Sequence, residues 1–342
     1  MTSLPPLAVY GAYGHTGKFV VRELLRRNLR VIASGRDLAK LEALRSDFPG
    51  IEIRHASLQD PAGLDSAFLG CGAVLNCAGP FLDTAAPVID AALRGGFHYL
   101  DIAAEQAAVF NVFNAYDDPA RAAGVLVAPS LAFYGGLADL LTVAALGEWS
   151  APSLIEIAVA LDSWAPTLGT RRTGERNTGP RLYLVGGVLE PNRSNGQRDW
   201  RFAPPFGDML VANIALAETV SIARHVPTQE VRLYLSANAL ADLSDESTPP
   251  PAPVDESGRS AQRFLVDVRV HGPSGVRCVR AHGRDIYAIS APIVAEAGLR
   301  LLRGEVKQRG ARSAGQLFEP RAFLSALGPD WLTVDEPEML AV

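Results

Sequence analysis

Over residues 7 to 128 the hydrophobic positions fall into two alternating patterns. Short, nearly unbroken apolar runs suit strands buried on both faces of a parallel sheet. They occur at Leu7 to Tyr10, Arg30 to Gly35, Ile51 to Ser57, Ala73 to Gly79, His98 to Ile102 and Val125 to Ala128. Between them apolar residues recur at helical spacing. Val20, Val21, Leu24 and Leu25 form one stripe, and Leu38, Leu41 and Leu44 form a second within Asp37 to Arg45. Asp60-Pro61 opens a third helix that Gly70 closes, because proline is tolerated in a first turn and glycine ends helices. Thr84 to Gly95 and Glu105 to Ala123 complete the series. Six strands alternating with helices over about 130 residues predict an α/β fold with a doubly wound parallel sheet of the Rossmann kind, since right-handed crossovers place helices on both faces.

The pattern changes after Ser130. Ile155 to Leu161, Val231 to Ala237, Phe264 to Val270 and Val276 to Ala281 alternate like strands with little helix between them, which suits a second α+β unit on a mostly antiparallel sheet. A stretch rich in Gly, Arg, Thr and Asn runs from Trp164 to Trp200. Ser247 to Ser260 reads as a mobile Pro/Ser surface loop. Ala291 to Leu302 and Pro320 to Leu327 carry helical stripes.

At 342 residues the chain is long for one core and suits two domains. An apolar content of 48% with 20% charged residues is that of a folded globular protein. The net charge of −5 argues against a nucleic-acid partner, which would want a basic face. Lysines occur at Lys18, Lys40 and Lys307 alone, so lysine chemistry has few places to act. Cys71, Cys77 and Cys278 lack paired spacing, which points to free thiols in a reducing compartment and to no metal framework. No charged leader with an apolar core precedes Leu7, and no uncharged run approaches the ~20 residues of a spanning helix. A cytoplasmic protein without a membrane span is expected.

The densest chemical signal is Tyr10-Gly11-Ala12-Tyr13-Gly14-His15-Thr16-Gly17, where the first strand meets three glycines spaced three apart and passes into a helix. Glycine lets the backbone turn sharply and approach a ligand, and the helix start offers unpaired N–H groups and a positive dipole end. A pyrophosphate suits such a place, so Gly11, Tyr13, Gly14, His15, Thr16 and Gly17 are expected to bind a dinucleotide. The spacing is a variant of the usual fingerprint, while a triphosphate loop would need Ser or Thr where Phe19 follows Gly17-Lys18. The second strand ends in Ser34-Gly35-Arg36. Asp37 stands near the position of a ribose-binding carboxylate but is a natural N-cap for the next helix. NADP is therefore favoured over NAD, with Arg36 facing the 2′-phosphate and Ser34 adding a hydroxyl. Asn76, Cys77, Ala78 and Gly79 end the fourth strand beside the switch point, where small residues let the backbone run along the nicotinamide ribose. Cys77 reads as a small filler rather than a nucleophile.

Three further clusters stand out. His98-Tyr99-Leu100-Asp101-Ile102, with Glu105, ends the fifth strand, and Asp101 and Tyr99 are the candidate catalytic pair for orienting substrate or passing a proton. A plainer reading has Asp101 capping the helix that begins near Glu105. Asp139, after Gly135-Gly136, marks a helix start facing the cleft or merely capping. Arg171, Arg172 and Arg176 form either an anion clamp or a solvated loop. The Tyr-x-x-x-Lys pair of short-chain dehydrogenases is absent, since none of the eight tyrosines has lysine four residues on.

Taken together, Gly11 to Gly17, Gly35-Arg36-Asp37, Asn76 to Phe81 and His98 to Ile102 resemble the saccharopine dehydrogenase-like family, including its trans-acting enoyl reductase branch. The resemblance covers residues 7 to about 140 and includes Phe133 and Asp139. It departs at Ala103-Ala104, where Ser-Gly commonly precedes the glutamate matching Glu105, and at Ala132, where glycine is usual. It implies an NAD(P)-binding Rossmann domain at residues 1–130, a substrate and dimerisation domain at 131–290, C-terminal helices at 291–342 returning to the first domain, and a homodimer. The expected activity is NADP-dependent hydride transfer to or from a C=N, C=O or activated C=C bond of a small or carrier-linked substrate. The rival is a catalytically silent NADP-binding regulator or partner protein.

Overall fold

The computed structural model describes residues 4–191 and 196–340. β1 (Leu7–Tyr10), β2 (Val31–Gly35), β3 (Glu52–His55), β4 (Ala73–Asn76), β5 (His98–Asp101) and β6 (Leu126–Ala128) pair in parallel in the order β6-β5-β4-β1-β2-β3. The crossovers are α1 (His15–Arg26), α2 (Leu38–Asp47), α3 (Pro61–Phe68), α4 (Phe81–Gly95) and α5 (Gln106–Ala122). The order reverses at β1 and β4, which places the ends of those strands at the switch point. Alternate residues of each strand serve opposite faces. Leu7, Val9 and Leu75 join one core cluster, whereas Ala8, Tyr10 and Val74 join the other. The expected doubly wound sheet is present, and α4 starts at Phe81, earlier than its apolar stripe indicated.

After the tight turn Phe133–Leu137 come α6 (Ala138–Leu146), β7 (Leu154–Leu161), α7 (Leu168–Arg176), β8 (Leu182–Val185), β9 (Val188–Pro191), β10 (Gln197–Arg201) and β11 (Asp208–Ile214). α8 (Ala217–Ala223), β12 (Glu230–Ser236), α9 (Ala237–Ser244), β13 (Arg263–Gly272) and β14 (Gly275–Arg284) follow. The chain then returns through α10 (Ser290–Leu302), β15 (Gly310–Ala311), α11 (Ala314–Leu317), α12 (Pro320–Leu327), β16 (Leu332–Val334) and β17 (Glu338–Leu340). Among the described residues the second sheet has ten strands and is mostly antiparallel, with one exception: β12 lies parallel to β7. The stretch from Trp164 to Trp200, outside 192–195, is not loop alone, because it holds α7 and three strands. Their patterns are weak in sequence since the strand faces are largely exposed.

The two sheets share one apolar core through α10, which packs on α1 and lies so close to β1 that a Cβ at Gly298 would be 3.1 Å from Leu7. Around that contact the buried carboxylates of Glu23 and Glu296 share Arg27, and Glu296 also binds Arg300. β15 adds a seventh parallel strand beside β6. It is fastened by Asp117 of α5, which accepts from Ala311 N–H and pairs with Arg312 and Arg224.

The segment expected to be a mobile loop, Ser247 to Ser260, is tied down instead. Arg22 donates to Ser257 O, Arg284 pairs with Asp255, and Ser260 N–H donates to the buried Asp285. Its Pro/Ser composition removes regular structure but leaves backbone groups for partners to hold.

Asp117 serves three partners at once, so Asp117→Ala is expected to cost about 2 kcal/mol of unfolding free energy. Urea denaturation followed by circular dichroism measures it, and an unchanged midpoint would contradict the anchoring.

Candidate active site

Gly11 turns the chain out of β1 at φ +81, and a Cβ there would lie 2.9 Å from the Ala78 Cβ. Gly17 is tighter still, since a Cβ would come within 2.2 Å of the Gly11 carbonyl oxygen. The start of α1 therefore sits flush on the turn. Gly14 is its N-cap, with no side-chain capping bond and no acidic residue in the first turn. The helix presents its first N–H groups and positive dipole end uncompensated, which is the chemistry an anionic diphosphate calls for.

The tip of β2 follows the same logic. Tyr13 lies across Gly35, where a Cβ would be 2.7 Å from the ring. Asp37 caps α2 by accepting from Lys40 N–H at 3.1 Å, and these contacts with Lys40 hold its carboxyl below the usual range. Arg36 is exposed and enters no ion pair among the described residues. Ser34 differs from expectation: its hydroxyl is buried without a partner, and its carbonyl accepts from Gly11 and Ala12 N–H. It fastens the turn from below.

At the end of β4, the buried Asn76 is an organiser. Its Oδ1 accepts from Ala78 N–H at 3.0 Å, and its Nδ2 donates to Thr84 and to Tyr99. Cys77 is half-buried at the cleft, and desolvation pushes its thiol far up, so it is no thiolate.

A cleft of about 770 Å³ opens here. Thr16, Cys77 and Gly79 line it from the first sheet, and Phe133, Tyr134, Trp164 and Tyr287 from the second. The Tyr134 and Trp164 rings stack at 5.7 Å. The Tyr287 hydroxyl accepts from Trp164 Nε1 at 2.8 Å and Thr167 N–H at 3.3 Å, and it bonds the Thr170 hydroxyl at 2.8 Å. With both acceptor directions used, its own proton goes to Thr170. His15 packs edge-on against Tyr287 at 5.4 Å, which joins the glycine turn to the aromatic wall.

Asp101 and Tyr99 do not line this cleft. Both are fully buried, and the Asp101 carboxylate accepts from Ala103 N–H, Ser130 N–H and the Tyr99 hydroxyl. Burial raises the Asp101 pKa while the two backbone N–H bonds pull it down. The pair pins the ends of β5 and β6 together, and Asp101 is no helix cap. His98 is likewise spent, accepting from Leu126 N–H with its pKa pushed down to about 4 by burial. Asp139 faces away from the cleft, where it binds His225 and Gly315 N–H at 2.7 Å each. The three arginines diverge. Arg171 lines the cleft but donates to the Asp245 and Thr248 carbonyls, Arg176 pairs with Asp83, and Arg172 is exposed.

Sequence reasoning missed the aromatic wall and the buried Glu218, and it named Glu105 without giving it a role. The aromatics are scattered from Phe81 to Tyr287, so no local spacing marked them. Glu105 lines the cleft while 2% exposed, and its Oε1 accepts from Phe81 N–H at 2.8 Å. Glu218 is buried behind Tyr134, and one oxygen of its carboxyl has no partner.

Residues 7–127 match the family model described as the saccharopine dehydrogenase NADP binding domain. A protein of Arabidopsis thaliana, described as a probable mitochondrial saccharopine dehydrogenase-like oxidoreductase, is 31% identical over 175 residues, covering 46% of this chain and 38% of that protein. The Homo sapiens saccharopine dehydrogenase-like oxidoreductase is 32% identical over 152 residues, covering 39% of this chain and 35% of that protein. The match thus spans little more than a third of either relative. Saccharopine dehydrogenase (L-Glu forming) of Saccharomyces cerevisiae, in its apo form, superposes with a TM-score of 0.69 at 12% identity, covering 97% of this chain and 99% of that one. The fold is a Rossmann domain, which matches an NADP-binding family model, joined to a second mixed-sheet domain. Over that first domain the chain is similar to the saccharopine dehydrogenase-like proteins. The expected cytoplasmic location is corrected by the same comparisons, since the Arabidopsis relative is described as mitochondrial and a Caenorhabditis elegans relative, 30% identical over 146 residues, as lipid droplet localized. Free thiols do not distinguish these locations from cytoplasm.

Desolvation raises the Glu218 pKa from 4.5 to about 7. A carboxyl with a raised folded pKa contributes its full stability below 4.5 and loses it as pH rises through about 7. Unfolding free energy should therefore fall by about 2–3 kcal/mol between pH 5 and 8 from this group. Urea titrations of wild type and Glu218→Gln check it: the variant should lack that part of the decline.

Proposed function

We propose that the protein is an NADP-dependent oxidoreductase that moves hydride between the nicotinamide and a C=N, C=O or activated C=C bond of a small or carrier-linked substrate. The observation that carries this reading is the cradle. At Gly11 and Gly17 any side chain would strike neighbouring atoms, and the uncapped helix end stands at the mouth of an aromatic cleft. A turn with no ligand gains nothing from that combination.

Gly11, Tyr13, Gly14, His15, Thr16 and Gly17 would hold the diphosphate, and Arg36 the 2′-phosphate by charge-assisted hydrogen bonds. Ser34 would act through the carbonyl that secures the turn. Asn76, Cys77, Ala78 and Gly79 would run beside the nicotinamide ribose. When bound, the cofactor supplies or accepts the hydride. The chain's own residues do the rest: the aromatic side chains exclude water and fix the substrate plane, and the hydroxyls of Thr167 and Thr170 orient polar groups. Asp101 and Tyr99 would act as positioning residues, holding the ends of β5 and β6 that carry the cleft floor. In this reading residues 1–130 bind the dinucleotide, 131–290 supply the facing wall, 291–342 brace the first domain, and the protein is a homodimer.

NADPH is expected to bind more tightly than NADH in a fluorescence titration, and Arg36→Ala should weaken NADPH on the order of tenfold while sparing NADH. The purified protein should consume NADPH with at least one of a panel of imines, ketones and enoyl thioesters. Binding without oxidation across all three classes would instead favour a silent regulator.

A further inference from the structure

The cleft is lined by three carboxylates, and they differ sharply. Glu175 and Glu246 are exposed to solvent, whereas Glu105 is 2% exposed. Its place is set by two strand ends. β4 and β5 are paired with Asn76 beside Asp101, so the Cys77–Gly79 turn and the Ile102–Glu105 segment leave the sheet side by side. The Phe81 N–H then holds Glu105 Oε1 at 2.8 Å, which fastens the carboxyl at the start of α4 in a cleft that Cys77 and Gly79 also line. This is the carboxyl edge of the switch point, where a dinucleotide's reactive end meets its substrate.

Resting on the function proposed above, we propose that Glu105 is the proton-holding group of the cleft. As an acid it serves the reduced, neutral nicotinamide, and as a carboxylate it faces the oxidised, cationic ring. In the reduction, hydride leaves NADPH for the substrate carbon and the Glu105 O–H bond breaks. The proton goes to the substrate atom bonded to that carbon, and the electron pair stays on the carboxylate. The substrate is reduced and NADPH is oxidised, so electrons and protons balance with no further reactant.

The surroundings shift Glu105 toward its acid form. Burial raises its carboxyl most and the charge of Asp101 on β5 adds to it, against the pull of the Phe81, Glu105 and Ala104 N–H groups. Cys77 beside it and Tyr134 across the cleft are both pushed up and uncharged. Glu218 lies on α8, which packs on α5 and meets the Ala104 carbonyl through Ala217 N–H. From the α7 side Arg171, Glu175 and Arg181 line the same cleft with both signs of charge. A cation arriving at Glu105 favours its ionised form.

The test needs no known substrate. NADP⁺ and NADPH are titrated into the full chain by calorimetry between about pH 5 and 8 in buffers of different ionisation enthalpy. NADP⁺ should release a proton on binding and gain affinity relative to NADPH as pH rises, on the order of tenfold over that range. Glu105→Gln keeps an acceptor for Phe81 N–H, so it preserves the cap and removes only the titrating proton. In that variant the NADP⁺ to NADPH affinity ratio should be flat with pH and the proton release lost. Identical behaviour of wild type and Glu105→Gln, with both nucleotides bound, overturns the proton role while leaving the cofactor reading intact. Failure of the wild type to bind either nucleotide overturns both.

Discussion

The site depends on the fit of Gly17 against the carbonyl of Gly11, where any Cβ would lie within 2.2 Å of the oxygen. Because no side chain intervenes, α1 begins directly on the turn after β1, and its unpaired N–H groups converge at the end of the sheet. Everything else at the site is placed relative to that contact. The Ser34 carbonyl supports the turn from β2, Ala78 abuts Gly11 from β4, and His15 reaches across to Tyr287. One tight backbone contact thus sets the relation of both cleft walls.

Buried carboxylates do most of the remaining bracing, and they do it by accepting backbone N–H groups. Asp101 collects Ala103 and Ser130, Asp139 collects Gly315, and Asp285 collects Ser260, Tyr287 and Ala288. Each joins segments distant in sequence where regular structure ends and backbone donors would otherwise go unpaired. The cost of burying these charges is offset by several directed hydrogen bonds apiece. The result is a cleft whose rim is loop but whose loops are held.

The first sheet was legible because its signals are local. Apolar runs, the glycine spacing and the Asp37 and Asp60 caps are each complete within a few residues. The glycine cradle could be read for the same reason. The catalytic assignment could not, because a polar residue at the end of a strand looks the same whether its carboxyl points into a cleft or back onto a neighbouring strand. Asp101 and Glu105 are four positions apart and differ in this respect, and only the path of the chain after Ser130 decides which meets the cleft. The aromatic wall shows the same limit, since Phe133, Trp164 and Tyr287 come together through pairing of β7, β13 and β14 that no short window contains. The anchoring of Ser247 to Ser260 could not be read because its partners, Arg22, Arg284 and Asp285, come from elsewhere in the chain.

The seventh strand of the first sheet has a consequence for biosynthesis. β6 presents its outer edge to β15, whose residues emerge from the ribosome about 180 positions later, after β7 to β14 of the second sheet have been made. Through that interval the nascent sheet carries an open, apolar margin able to pair with another chain. The first sheet is therefore sealed against promiscuous strand addition only once β15 has been delivered.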